Sequence, residues 1–93
     1  MPPMYKGNTS EQVDAFLVRL APTPRLRLRE AMGKLRTEGG DIRALEGDLS
    51  GFYRLKRGRY RVIFCYAEPR TIGCIFAEER KLVYEIFSAL LRE

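Results

Sequence analysis

The sequence predicts a small α+β domain: an N-terminal helical hairpin packed on a small antiparallel sheet of three to four strands, with a C-terminal helix. Three observations carry this prediction. Apolar residues first recur at helical spacing, in Val13, Phe16, Leu17 and Leu20 and again in Leu28, Ala31, Met32 and Leu35. After Gly51 the period changes to two, and aromatic and β-branched residues take over. Helical spacing then returns in Leu82, Val83, Ile86, Phe87 and Leu90. The order α-α-β-β-β-α suits an α+β arrangement. A chain of 93 residues can bury one modest core, so residues 1–93 are read as a single domain.

Each element has its own local signals. Thr9 and Gln12 have capping-box spacing, which starts the first helix at Thr9. Pro22 and Pro24 end that helix. Thr23 then caps a second helix with Pro24 at its first position, and Gly39-Gly40 stops it. The short connection implies an antiparallel helix pair. Residues 41–50 read as a loop. Strands are expected over 52–57, 60–67 and 71–77, with a turn at Glu68-Pro69-Arg70. Gly58-Arg59 suits a two-residue type II′ turn, with glycine at the first central position. The last helix is expected over about 80–91.

Composition removes several chemistries. With no histidine, the chain holds neither a serine–histidine triad, nor a cysteine–histidine pair, nor a histidine-bound zinc site. No metal ligand set and no cofactor motif is present in the sequence, and none is expected in the site. Any proton transfer falls to Lys, Arg, Tyr, Asp or Glu. Two cysteines, Cys65 and Cys74, are too few for a disulfide scaffold. The turn arithmetic sets them opposite each other, and both are expected as free thiols. No apolar run reaches the ~20 residues of a membrane span, and the start of the chain lacks the apolar core of a secretory signal. A cytoplasmic protein with no membrane partner is expected.

The net charge of +5 points to a polyanionic or acidic partner, and its distribution says more than its size. Arg54, Lys56, Arg57, Arg59 and Arg61 crowd one hairpin, and no carboxylate lies between Leu49 and Ala67. The turn fixes the register: Arg57 faces Tyr60, Lys56 faces Arg61, Leu55 faces Val62 and Arg54 faces Ile63. Alternation puts Arg54, Lys56 and Arg61 on one face, along with Phe52, Ile63 and Cys65. Tyr53, Leu55, Val62 and Phe64 occupy the other. Opposed like charges cost about 0.2–1 kcal/mol per pair, and a bound phosphate backbone would relieve that repulsion. On this reading Arg61→Ala removes a repulsive neighbour at little cost to folding.

The run Leu49-Ser50-Gly51-Phe52-Tyr53-Arg54-Leu55-Lys56-Arg57-Gly58-Arg59-Tyr60-Arg61-Val62-Ile63-Phe64 resembles the central segment of the RelE/ParE toxin superfamily. That segment reads L-x-G-x-Y-R-L-[RK]-x-G-x-Y-R-V-I-Y. Arg80-Lys81-Leu82-Val83-Tyr84 resembles the closing R-[RK]-x-V-Y of the same superfamily. The resemblance spans about residues 45–84, with a compatible two-helix segment before it. Of the family's N-terminal strand only Met4-Tyr5-Lys6 has a counterpart, so that strand is expected to be short or absent.

The resemblance implies a type II toxin held inactive by a cognate antitoxin. For a RelE-like member it implies an endoribonuclease that cuts mRNA on the ribosome and stops growth. For a ParE-like member it implies a non-nucleolytic inhibitor of DNA gyrase. From the residues alone, a plain RNA-binding module also fits. Carried over by position, the matching residues are Arg54, Lys56, Arg61, Arg80 and Tyr84, with Lys56, Arg61, Arg80 and Tyr84 read as catalytic. Arg54, with Arg57 and Arg59 of the same basic hairpin, is read as binding RNA. Arg54 stands where the family commonly has lysine. The chemistry consistent with these residues needs no metal: an RNA 2′-hydroxyl attacks the adjacent phosphorus. Arg61 and Arg54 hold the phosphate, Lys56 serves as base or electrostatic stabiliser, and Arg80 contacts the scissile phosphate or leaving oxygen. Tyr84 either orients the hydroxyl or stacks on a base, or is a core residue on the amphipathic face of the last helix. The antitoxin is expected to bring an acidic or amphipathic segment to the helical hairpin, the sheet or both.

Overall fold

In the computed structural model, which describes residues 4–92, the hairpin sits at the centre of a five-stranded sheet. Strand β1 spans Lys6–Thr9, β2 Asp41–Ala44, β3 Tyr53–Arg57, β4 Tyr60–Ala67 and β5 Thr71–Glu79. Their spatial order is β1-β5-β4-β3-β2. The β3–β4 register is the one the turn dictates, from Arg57↔Tyr60 to Tyr53↔Phe64. Gly58 takes the positive φ of 59° that the first central position of this turn requires.

The sheet has five strands, not three to four, and is mixed, not wholly antiparallel. β1 is the short form of the N-terminal strand expected as short or absent, and it runs parallel to β5. Its side chains are all exposed, which removes the alternation that marks a strand in sequence. β2 lies within the expected loop and pairs antiparallel with β3. Only Ile42 of its residues is partly buried, so it too has no periodic signature. The backbones of β5 and β3 recruit these two segments, respectively, more than the segments' own side chains do.

Helix α1, Glu11–Arg19, and helix α2, Pro22–Gly33, form the predicted hairpin on one sheet face. Val13, Phe16, Leu17, Leu28 and Leu35 meet Leu55, Val62, Phe64, Ile72, Cys74 and Ala77 in the main core. The caps sit elsewhere than the sequence suggests. Ser10 caps α1, its hydroxyl accepting from the Val13 amide at 3.2 Å. Ala21 precedes α2, with Pro22 as its first residue.

The capping box fails because Gln12 has stronger business with β5. Its amide nitrogen donates to the Ala77 carbonyl at 2.7 Å, and its oxygen accepts from the Ala77 N–H at 2.8 Å. The pairing of β1 with β5 stops at Cys74. Beyond it, Ser10 donates to the Ile75 carbonyl at 2.8 Å, and Gln12 pairs Ala77. Two side chains thus satisfy strand groups that have no neighbouring strand.

Helix α3, Val83–Leu91, covers part of the opposite sheet face. Val83 and Phe87 pack on Ile63 and Phe76, with Phe52 and Tyr84 at the margin. The helix begins at Val83, not Arg80, because 80–82 form a turn in which the Leu82 amide bonds the Glu79 carbonyl. A register shift between Ile63 and Phe64 leaves Ile75 as the extra residue on β5. Cys65 therefore faces Gly73, and Cys74 faces Phe64, so the cysteines do not oppose each other. Both are free thiols. Among the described residues, no helix is long and apolar enough to cross a membrane.

Candidate active site

The sheet face carrying α3 divides into two parts. One half is apolar and covered by the helix. Toward the β3–β4 turn the charged residues remain, in cross-strand rows. One row runs Asp41, Lys56, Arg61, Glu78 across β2, β3, β4 and β5, each residue the register partner of the next. The next runs Arg43, Arg54, Ile63, Phe76. Two adjacent cations therefore sit between two carboxylates, and two more arginines lie one row away.

The two central arginines are held very differently from Lys56. Arg61 is 9% exposed. Its Nη1 donates to the Gly58 carbonyl at 2.8 Å and the Tyr60 carbonyl at 2.9 Å. The guanidinium thereby braces the hairpin turn. Among the described residues no acceptor reaches its Nε or Nη2, so two donor groups remain for a ligand. Arg54 is equally buried, and its Nη1 donates to the backbone oxygen of Asp41 at 3.2 Å and to its carboxylate at 3.4 Å. Lys56 is exposed, with no side-chain hydrogen bond or ion pair among the described residues.

The hairpin is less bare of carboxylates than the sequence suggests. Asp41 arrives on β2 and pairs Arg54, while Glu79 arrives on β5 and pairs Arg59 at 3.4 Å. The expectation that Arg61→Ala comes at little cost to folding is likewise corrected. Arg61 is a nearly buried side chain making two charge-assisted bonds, and its loss frees two turn carbonyls.

The other expected residues scatter around this centre. Arg57 points to the helical face, where it helps line a shallow groove with Thr23, Pro24, Arg27 and Tyr60. Arg59 sits in the turn, exposed and paired with Glu79. Arg80 is exposed just past β5 and tied to the hairpin tip, its amide bonding the Arg59 carbonyl at 2.8 Å. It lines a recess with Arg59, Glu79 and Lys81. Tyr84 is half-buried against the α3 core. Because 80–82 are not helical, Arg80 and Tyr84 do not share a helix face. Lys56, Arg61 and Arg54 are thus brought together; Arg80 and Arg59 are joined at the tip; Arg57 faces away.

Asp41, Arg43 and Glu78 are the residues that sequence reasoning missed. The first two stand on a strand without a periodic signal. In the sequence Glu78-Glu79 beside Arg80 reads as a solvated charge cluster. Extending the third strand by two residues would have placed Glu78 opposite Arg61. Among the described residues no cluster of three or more side chains suited to holding a metal occurs.

No family model matches the chain, and no curated protein matches it in sequence. Solved structures do match it. A chain of the toxin–antitoxin complex RelBE2 from Mycobacterium tuberculosis aligns with TM-score 0.73 and 22% identity, covering 84% of this chain and 93% of that one. A chain of the archaeal RelE–RelB complex from Pyrococcus horikoshii aligns with TM-score 0.69 and 27% identity, over 83% and 96% respectively. The chain has the RelE fold. A chain of the RelB–RelE complex from Methanococcus jannaschii shares that fold at TM-score 0.67 and 19% identity, over 86% and 98%.

Proposed function

We propose that this chain is the toxin of a type II toxin–antitoxin pair and cleaves mRNA as an endoribonuclease. The observation that carries the reading is Lys56 opposed to Arg61 on the open part of the sheet face. Like charges opposed across a ladder destabilise an empty sheet. They are well placed to receive a phosphodiester, whose charge they stabilise as it grows in the transition state. Two donors of Arg61 are unspent. Arg54, one row away, is fixed by Asp41 and needs no reorganisation.

In this reading Arg61 and Arg54 grip the scissile phosphate. Lys56 adds a mobile positive charge at its side. Arg80, at the hairpin tip, reaches the next phosphate or the leaving oxygen. Arg59 extends the track for RNA, and Arg57 extends positive potential around the edge of the sheet. Tyr84, half-buried at the margin of the α3 cluster, offers a ring for a base. No step draws on a metal or cofactor.

A partner follows from the same fold. The three neighbours named above come from toxin–antitoxin complexes, so a RelB-like antitoxin is the proposed cognate partner here. The ribosome and mRNA are the proposed target. The test is incubation of the purified chain with a translating ribosome and a defined mRNA. Cleavage in the reading frame supports the reading. Arrest of growth without RNA cleavage, with gyrase supercoiling inhibited, overturns it.

A further inference from the structure

A transesterification at this face needs a proton acceptor, and the residues assigned so far do not include a good one. Lysine and arginine hold their protons near neutral pH, tyrosine likewise, and the chain has no histidine. Carboxylates remain. Asp41 is engaged by Arg54, and Glu79 by Arg59. Glu78 is left. It is the register partner of Arg61, so the two side chains project from the same face about 4.5–5.5 Å apart at Cβ. Among the described residues no cation lies within ion-pair distance of it, because the Arg61 guanidinium is turned to the Gly58 and Tyr60 carbonyls. One carboxylate oxygen accepts from the Glu79 N–H at 3.1 Å, which fixes the group and leaves the second oxygen open.

We infer that Glu78 is the general base of the cleavage and that Lys56 supplies the proton to the leaving group. The inference rests on the ribonuclease reading of this face. Lys56 and Glu78 flank Arg61 on the two neighbouring strands. Two strand spacings separate them, roughly 10 Å between backbones. A phosphate seated on Arg61 then lies between an acid and a base. In-line displacement requires that arrangement, because the attacking and departing oxygens leave phosphorus on opposite sides.

The step balances without a further reactant. Glu78 takes the proton of the 2′-hydroxyl. The 2′-oxygen forms a bond to phosphorus with the electron pair so released. The bond from phosphorus to the 5′-oxygen breaks, and that oxygen takes its electron pair and a proton from the Lys56 ammonium. The products are a 2′,3′-cyclic phosphate and a 5′-hydroxyl. Exchange with water returns a proton to Lys56 and removes one from Glu78. The charged groups around Glu78 are Arg61 on β4, with Lys56 and Arg54 beyond it on β3, and Glu79 and Arg80 next in the chain. On α3 the titratable groups are Tyr84, packed at the margin of the Ile63–Phe76 cluster, and Glu85.

The experiment measures single-turnover cleavage of a defined mRNA by the full chain on translating ribosomes, across a range of pH. The variants are Glu78→Gln, Glu78→Asp and Lys56→Ala. Glutamine retains the oxygen that accepts from the Glu79 amide, so folding is preserved, and a melting curve checks it. Glu78→Gln is expected to lose ~100- to 10,000-fold in rate, the usual share of a general base. It is also expected to lose the acid-side fall of the wild-type pH profile while still binding the ribosome–mRNA complex. Glu78→Asp should keep that limb at a reduced rate. Cleavage by Glu78→Gln at the wild-type rate, or with the wild-type acid limb intact, overturns the assignment and leaves the ribonuclease reading standing. Absence of cleavage by the wild type overturns both.

Discussion

Lys56→Ala separates catalysis from stability at this face more cleanly than any change at Arg61. Lys56 is exposed and makes no side-chain hydrogen bond among the described residues. It faces Arg61 on one side and Asp41 on the other. A like-charge and an opposite-charge cross-strand pair are each worth about 0.2–1 kcal/mol, with opposite signs, so removing both comes close to cancelling. The net change should stay within ~0.5 kcal/mol, a melting shift below about 4 °C for a chain this size. Arg61→Ala is different. It removes two charge-assisted bonds that brace the turn, of which water recovers part at the exposed Gly58 carbonyl. A cost near ~2 kcal/mol is expected, lowering the melting temperature by roughly 8–16 °C. Both variants should lose ~100-fold or more in mRNA cleavage. The assay pairs thermal melts with single-turnover cleavage. The reasoning is refuted if Lys56→Ala cuts RNA at close to the wild-type rate, or if it melts as early as Arg61→Ala.

Three further outcomes follow from the rest of the fold. Gln12→Leu should lower stability by about 2–4 kcal/mol, because it strands the N–H and carbonyl of the fully buried Ala77; an unchanged denaturant midpoint would show the pairing to be incidental. Burial pushes the Cys74 thiol up to about 11, with Cys65 adding to it, so alkylation of the native protein should label the half-buried Cys65 first and Cys74 only on unfolding. Equal labelling rates would contradict that burial. Burial, and then the 2.9 Å hydrogen bond to Glu38, raise the Tyr66 phenol to about 12. The folded state thus keeps a proton that the unfolded chain loses near the ordinary value of about 10. The stabilisation is complete below that pH and fades as pH rises toward the folded value. Ultraviolet titration should show a late phenol transition from Tyr66 that moves earlier in Glu38→Gln.

Much of this architecture is legible because it is governed by local rules. The helical hairpin shows in the spacing from Val13 to Leu35, which matches the buried face. The β3–β4 register follows from Gly58 alone. Strands β1 and β2 give little signal for one physical reason: apart from the partly buried Ile42 their side chains face solvent, and their pairing is a backbone matter. Edge strands of this kind leave no hydrophobic period. The missed β2 also concealed Asp41, and with it the fact that Arg54 is already paired. The bulge at Ile63–Phe64 could not be anticipated from turn arithmetic, so the cysteines were placed opposite each other. The cap moved from Thr9 to Ser10 because β5 needed partners for Ile75 and Ala77, a demand that arises 65 residues away.

The central claim is that the Lys56–Arg61 face cleaves RNA, and the chemistry of the cut ends tests it most directly. Purified protein is given a defined mRNA on translating ribosomes. The reaction is stopped, and both new termini are mapped. Cleavage by 2′-hydroxyl attack predicts a 2′,3′-cyclic phosphate upstream and a 5′-hydroxyl downstream. These ends should appear with the wild type and be lost together with Lys56→Ala. Intact mRNA under those conditions, or a 5′-phosphate at the cut, contradicts the account.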